Sequence, residues 1–283
     1  MARRGLKEGF LFLCANYWNN IKETFNLMTH AYRILPAESE EMKREAYKLR
    51  HKVYCSEFKY EDTRDTEMEE DEFDNHSSHM VVYSRSHKSY IGCARLVHGR
   101  HGGVSKKLPF EHHCVNQIDH KILNSIKNSG HEYAEVSRLA IEKNFRNMGQ
   151  KKRKKSLSRQ KNYNAFALIT LYLGVQAMAK QQGIRYLFAI VEPRLLKNLH
   201  HHNVPAIQIG KGVDHRGLRV PIMIDVEDIE RIIPSALKPV YNNIKRDVKG
   251  MKPANIGALT ESLDIPDVYS TPKQVSLHGK MAQ

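Results

Sequence analysis

Two charged side chains and one hydroxyl lie in the interior of a mostly apolar stretch, Glu132–Ile141 (EYAEVSRLAI), and they are the residues best suited to do chemistry. Glu135, Ser137 and Arg138 lie among β-branched, aromatic and small residues that favour a strand within a sheet. A charge buried in such a strand is costly unless it is paired or used. We therefore interpret the stretch as a core strand that ends at a functional site.

A cationic segment, residues 146–161, follows this strand and precedes an apolar helix predicted over residues 162–182. A strand followed by a cationic loop and a helix N-terminus is a suitable place to hold an anionic cofactor arm. The same cations would steer an acidic protein partner, while a solvated loop without function is an equally good interpretation. The cations that we assign to docking are Lys151, Lys152, Arg153, Lys154 and Lys155.

The order of the predicted elements indicates an α/β (α+β) fold, in which helices cover both faces of a mixed sheet. A main domain is expected over residues 36–244, preceded by an N-terminal helix within residues 1–35. Residues 245–283, where Gly, Pro and Ser recur without periodicity, are expected to form a loosely ordered tail. Strands are predicted at 79–83, 90–97, 132–141, 186–191, 206–209 and 220–226, and helices at 39–58, 119–128, 162–182 and 193–202.

Composition restricts the partners of the chain. A net charge of +14 and a pI near 9.5 imply an anionic partner, such as nucleic acid, a membrane surface, an acidic protein or a phosphorylated cofactor. The four cysteines have no CxxC spacing, so we interpret them as reduced thiols of a cytoplasmic protein. The histidine clusters lack a full ligand set at a known spacing, so no metal is predicted.

Residues 6–21 carry apolar side chains at helical spacing beside basic ones. The stretch is too short to span a membrane and lacks the cleavage site of a signal peptide. We interpret it as a helix that packs on the main domain. A helix lying on the inner face of the membrane, which would make the protein peripheral, is the alternative.

Four short motifs, in a fixed order, give the chain a family resemblance. Over residues 40–226 it resembles the GNAT superfamily of N-acyltransferases, and in particular the autoinducer (acyl-homoserine-lactone) synthases, the long-chain N-acyl amino acid synthases and the acyltransferases associated with the PEP-CTERM/exosortase system. The resemblance implies a mostly antiparallel, twisted GNAT-like sheet. It also implies acyl transfer from an acyl carrier protein thioester to a small amine. The motifs are Arg50-xxx-Tyr54, Asp71-xx-Asp74, Gly92-xx-Arg95-Leu96 and Glu135-xx-Arg138.

The resemblance and the chemistry together suggest a role for each motif residue. An amine must be neutral to attack a thioester, and a free α-amino group with a pKa of about 8 is roughly one tenth neutral at pH 7. Positioning should therefore dominate. Glu135, with Asp71 or Asp74, would hold the ammonium and accept its proton through water. The predicted substrate-binding residues are Arg50, Tyr54, Arg95, Ser137 and Arg138, and the backbone of Leu139, Ala140 and Ile141 would support the oxyanion and the pantetheine arm.

Several alternatives stay open from the sequence. A buried ion-pair network is the less favoured interpretation of the motif acids and arginines. The composition of the acidic segment 57–74 indicates a mobile, solvated loop, with residues 71–74 set apart as a motif. Acyl-CoA is the alternative donor to acyl carrier protein, with no cofactor bound. Phe58 and Tyr60, without a tryptophan, begin the acidic segment. This favours an N-acyl amino acid synthase over the alternative, an autoinducer synthase. A basic protein that binds nucleic acid or membrane without catalysis is the alternative from another class.

Overall fold

A nine-stranded sheet runs through the computed structural model, which describes residues 31–146, 158–201 and 203–253. Its order is β1-β2-β3-β5-β6-β9-β7, with β4 on β3 and β8 on β9. Among the described strands only β5 and β6 pair in parallel. The strands are β1 (Tyr32–Pro36), β2 (Ser77–Ser84), β3 (Ser89–His101), β4 (Val104–Ser105), β5 (Glu132–Ile141), β6 (Ile184–Val191), β7 (Ile207–Gln208), β8 (Val213–Asp214) and β9 (Leu218–Asp225).

Helices cover both faces of this sheet. One face packs against α5 and α8 in the largest apolar core. The other face packs against α2 and α3 in a second core and against α1 in a third. This confirms the predicted mixed, mostly antiparallel sheet with helices on both faces. The helices are α1 (Glu40–Arg50), α2 (Pro109–His113), α3 (His120–Asn128), α4 (Lys143–Arg146), α5 (Ser158–Gln181), α6 (Pro193–His201), α7 (Val226–Ile232) and α8 (Lys238–Asp247).

The first helix forms where the sequence predicts it. Ser39 caps it by accepting a hydrogen bond from the Met42 backbone N–H at 3.2 Å, and two glutamates occupy its positive end. The helix then continues as a π-helical segment, His51–Glu57. This wider turn carries Tyr54 and the start of the acidic segment toward the end of β5, since Tyr54 donates a hydrogen bond to the Leu139 carbonyl at 3.0 Å.

The packed domain extends further in both directions than predicted. The expected limit after residue 35 falls inside β1, an unpredicted strand that pairs with β2, and the limit after residue 244 falls inside α8. Arg33 Nη2 on β1 lies 2.7 Å from the Asp247 carboxylate on α8, so the two ends are joined. Val248 and Met251 are also buried. Residues 6–21 and 254–283 lie outside the described residues.

No helix in the described ranges is long and apolar enough to cross a membrane.

Candidate functional site

A β-bulge reshapes the end of β5. Between the pairs Cys93–Ala140 and Arg95–Ser137, β3 contributes one residue and β5 contributes two. Arg138 occupies the bulge with a φ of 48°. A bulge re-aims side chains, and here it turns Arg138 toward the acidic segment. Close packing of the two strands requires a glycine at position 92, because a Cβ there would lie 2.9 Å from the Ala140 carbonyl oxygen.

The two parallel strands of the sheet separate beside this bulge. β5 and β6 pair only from Glu132–Ile184 to Glu135–Phe188. Beyond that pair, β6 continues to Val191 against β9 alone, and β5 continues to Ile141 against β3 alone. Residues 136–139 of β5 and residues 189–190 of β6 are half-buried although both strands are central. The result is a gap between two strand edges in the middle of the sheet. We refer to it as the strand cleft.

Glu135 lies at the base of the strand cleft, in the last β5–β6 pair. Its side chain is 3% exposed and accepts a hydrogen bond from the Phe110 backbone N–H of α2 at 2.7 Å. Burial raises the pKa of Glu135 to about 8, against the opposing effects of the Phe110 N–H and of Arg95. Glu135 lies inside the strand, as the sequence predicts, and a carboxyl group with a near-neutral pKa can exchange protons there.

The other motif residues form one buried network of arginines and carboxylates. Arg50 and Arg95 are each 1% exposed, and both bind the Asp74 carboxylate at 2.7 Å. Arg95 also bonds the Ser137 hydroxyl at 2.9 Å. The remaining contacts join Arg50 to Glu69 (2.5 Å), Arg95 to Asp71 (2.5 Å), and Arg138 to Glu61, Glu69 and Asp71 (3.0 Å each).

This network corrects the expectation of a mobile, solvated acidic segment, because arginines bind four of its carboxylates, those of Glu61, Glu69, Asp71 and Asp74. Burial alone would raise the pKa of Asp74, but Arg95 and Arg50 outweigh it and hold the pKa far below its usual range. An acid held in this way is a poor proton acceptor. Asp71 is likewise bound by Arg95 and Arg138, and Arg50 lies 3.9 Å from it. Among the three acids predicted to be catalytic, Glu135 has the environment suited to proton transfer.

Arg50, which is predicted to bind substrate, belongs to the same network. Its guanidinium is buried between Glu69 and Asp74, an arrangement that suits the positioning of these acids. Arg95 and Arg138 also form ion pairs with these acids, as expected for the buried ion-pair network described above. Ser137 is half-buried and lies two residues beyond Glu135, on the same face of the strand.

Three members of the network were missed by sequence reasoning. Glu69 is 1% exposed and joins Arg50 to Arg138. Glu61 binds Arg138 and also Arg216, which lies beside the β8–β9 turn. Glu61 and Glu69 belong to the ten acids of the segment 57–74, and nothing in that segment distinguishes them. Arg216 lies 155 residues from its partner, so no local pattern connects them.

An apolar cavity of about 250 Å³ lies beside the end of β5. Leu139, Ala140 and Ile141 form one wall, so three residues predicted to contact the pantetheine arm do line a cavity. The π-helical segment forms a second wall, and α4 and α5 close the rest. Glu135 does not line it. The other lining residues are Val53, Tyr54, Phe58, Phe145, Arg146 and Leu168.

The remaining predicted features lie apart from this site or outside the described residues. The docking cations, Lys151–Lys155, fall in the undescribed segment 147–157. Cys55, Cys93 and Cys114 are free and buried, and burial raises the pKa of Cys93 to about 12. In the described ranges, no three His, Cys, Asp or Glu side chains are grouped so as to hold a metal ion.

Comparison with known families gives a match. Residues 49–153, from the last turn of α1 past the end of β5, match the family model described as Acetyltransferase (GNAT) domain. The matched range contains the strand β5, the bulge and most of the arginine–carboxylate network. Comparison with curated proteins gives no match.

Several solved structures are similar to this chain. FeeM, an N-acyl amino acid synthase from uncultured soil microbes, is 13% identical with a TM-score of 0.48, covering 73% of this chain and 97% of its own. BjaI, a CoA-dependent acyl-homoserine lactone synthase, is 15% identical with a TM-score of 0.49, covering 76% and 89%. The AHL synthase LasI is 17% identical with a TM-score of 0.42, covering 69% and 89%. Similarity at this level carries no argument about substrate.

Proposed function

We propose that this chain, whose residues 49–153 carry a GNAT acetyltransferase domain, is an N-acyltransferase. It moves a long-chain acyl group from the thioester of an acyl carrier protein to the amine of an amino acid or a similar small acceptor. The strand cleft is the observation that carries this proposal, because it offers two strand edges in the middle of a packed sheet.

The strand cleft suits a pantetheine arm. Residues 136–139 and 189–191 have no β-partner across the cleft, so the backbone groups among them that face the cleft and have no other partner need hydrogen-bond partners there. A pantetheine arm contains two amides, which can pair with strand edges as an added strand does. The thioester at the end of the arm would then lie near Leu139, where the apolar cavity begins.

The apolar cavity suits the acyl chain. Its walls are aliphatic and aromatic apart from Arg146 and the Tyr54 hydroxyl, which is already bonded to Leu139. Each buried methylene contributes about 0.8 kcal/mol to binding, so several methylenes select a long acyl group over acetyl. Backbone N–H groups near Leu139–Ile141 would support the oxyanion that forms on the thioester carbonyl.

Glu135 suits the removal of the amine proton. With its pKa raised to about 8, it is a stronger base when ionised than an ordinary carboxylate. The acceptor would lie over Ser137, on the same face of β5. Its proton would pass to Glu135 through the Ser137 hydroxyl or a water molecule. The neutral amine then attacks the thioester carbon and the C–S bond breaks. The second proton lost by the nitrogen passes to the departing sulfur, so the arm leaves as a thiol.

The carrier protein would dock beside the C-terminal end of β5. In the sequence, the cations of residues 151–155 follow α4, which ends at Arg146. Acyl carrier proteins are acidic, so these cations would attract them. This makes an acylated carrier the preferred donor and acyl-CoA the weaker one. A cytoplasmic location, with contact to the inner membrane face through residues 6–21, stays a prediction. An amino acid as the acceptor, with a homoserine lactone precursor as the alternative, is likewise a prediction.

The function is tested by incubating the full chain with palmitoyl carrier protein and a mixture of amino acids, with mass spectrometry of the lipid extract. We expect an N-acyl amine and one free carrier thiol for each molecule of product. A parallel reaction with palmitoyl-CoA should give a lower kcat/KM. Thiol release without an N-acyl product would contradict amine transfer, and an equal kcat/KM for CoA would contradict carrier preference.

A further inference from the structure

A short aromatic strap crosses the outer end of the apolar cavity. Phe58 and Tyr60 stack with their ring centroids 5.1 Å apart and an angle of 13° between planes. The Arg146 guanidinium covers Phe58 at 4.4 Å, and that of Arg216 lies 6.0 Å from the Tyr60 ring. Arg146 is held by Glu57 and Arg216 by Glu61. Each of the two stacked rings is therefore covered by an arginine that is itself held by a glutamate.

The two rings of the strap differ in what they touch. Phe58 lines the apolar cavity, whereas Tyr60 does not. Both rings are partly exposed, 42% for Phe58 and 38% for Tyr60. Phe58 is therefore in contact with both the cavity and solvent, so its ring closes the cavity at this point.

The order of residues along two walls places Phe58 at the end farthest from the strand cleft. On the β5 wall the cavity runs from Leu139, beside the cleft, through Ile141 to Arg146 of α4. On the facing wall it runs from Tyr54, bonded to the Leu139 carbonyl, to Phe58, covered by Arg146. A chain that enters at Leu139 meets Phe58 last.

We infer that Phe58 sets the greatest length of acyl chain that this protein accepts. The inference rests on the proposed function. Chains that end short of the ring gain affinity with every methylene, and longer chains must displace the ring from beneath Arg146. Tyr60 supports the strap without meeting the chain, so it provides a matched control.

The test is a binding series of saturated acyl pantetheines, from butyryl to palmitoyl, with the full chain and its variants. For the wild type we expect affinity to rise about fourfold per methylene up to a limiting length and then stop rising. Phe58→Ala should extend the rise to longer chains, and Phe58→Leu should extend it less. Tyr60→Ala should keep the wild-type limit. Thermal unfolding of each variant confirms that it is folded.

The results distinguish a failure of the role proposed for Phe58 from a failure of the proposed acyltransferase function. An unmoved limit in both Phe58 variants, with normal wild-type binding, overturns the role of Phe58 alone. An equal shift in Tyr60→Ala would assign the limit to the whole strap and overturn it too. If no acyl pantetheine of any length binds to the wild type, the proposed thioester donor itself is wrong.

Discussion

Replacing Glu135 with glutamine should lower kcat for acyl transfer by roughly 10²–10⁴-fold, the usual contribution of a positioned general base. The amide keeps the shape of the side chain, and its oxygen can still accept the Phe110 N–H, but it cannot take a proton. In the wild type, kcat/KM should rise with pH until about 8 and then level off, because the pKa of Glu135 is raised to about 8. Deprotonation of the acceptor amine, whose pKa is also about 8, adds its own rise over the same range, so the variant should keep only that shallower rise and lose the contribution of Glu135.

The pH dependence of the free energy of unfolding shows whether Glu135→Gln affects catalysis without weakening the fold. The Glu135 pKa rises from 4.5 to about 8 on folding. Between these values the folded state holds a proton that the unfolded chain lacks, so wild-type stability falls as pH rises across the interval. Glu135→Gln escapes this loss and should be more stable than the wild type above pH 8. Glu132→Gln, on the same strand, is the control and should retain turnover. Normal turnover by Glu135→Gln would remove Glu135 from the mechanism.

Replacing Glu69 with alanine should lower the free energy of unfolding by about 3–5 kcal/mol, because it leaves buried guanidinium groups without their carboxylate. Arg50, at 1% exposure, and Arg138 both lose a partner. Urea unfolding measures the change. The adjacent Glu70 is exposed, so Glu70→Ala should change stability by no more than about 0.5 kcal/mol. Equal losses from the two variants would show that the network does not stabilise the fold.

The pH dependence of this effect has a definite sign. Burial opposes ionisation of Glu69, yet Arg50 and Arg138 outweigh it and lower the pKa to about 2. Its stabilisation is therefore present above the unfolded pKa of 4.5 and is lost as pH falls toward 2. The difference between the wild type and Glu69→Ala should shrink over that interval.

The sequence predicts the elements that are long or clearly bounded. The strand Glu132–Ile141 has the same limits in both accounts because its apolar run is compact and sharply flanked. The helix capped by Ser39 and the turn at Gly183, which has a φ of 70°, follow from local chemistry. The edge strand β1 escapes prediction because it is only five residues long and ends in proline.

The arrangement of the site depends on contacts that no local pattern contains. The motif spacing brings out Arg50, Arg95, Arg138 and Glu135, but not which acid each arginine meets. That pairing depends on the bulge at Arg138 and on the path of the acidic segment, which returns Glu69 to Arg50 and Arg138. The separation of β5 from β6 is likewise a property of sheet geometry, so the strand cleft becomes visible only in the fold.

The most direct measurement of the central claim is a crystal structure of the full chain with a non-hydrolysable acyl pantetheine thioether. The account predicts that the arm lies between residues 136–139 and 189–191, with its carbonyl near Leu139. The alkyl chain should run along Ile141 toward Phe58. An arm bound elsewhere, with the strand cleft empty and the cavity unoccupied, would contradict it.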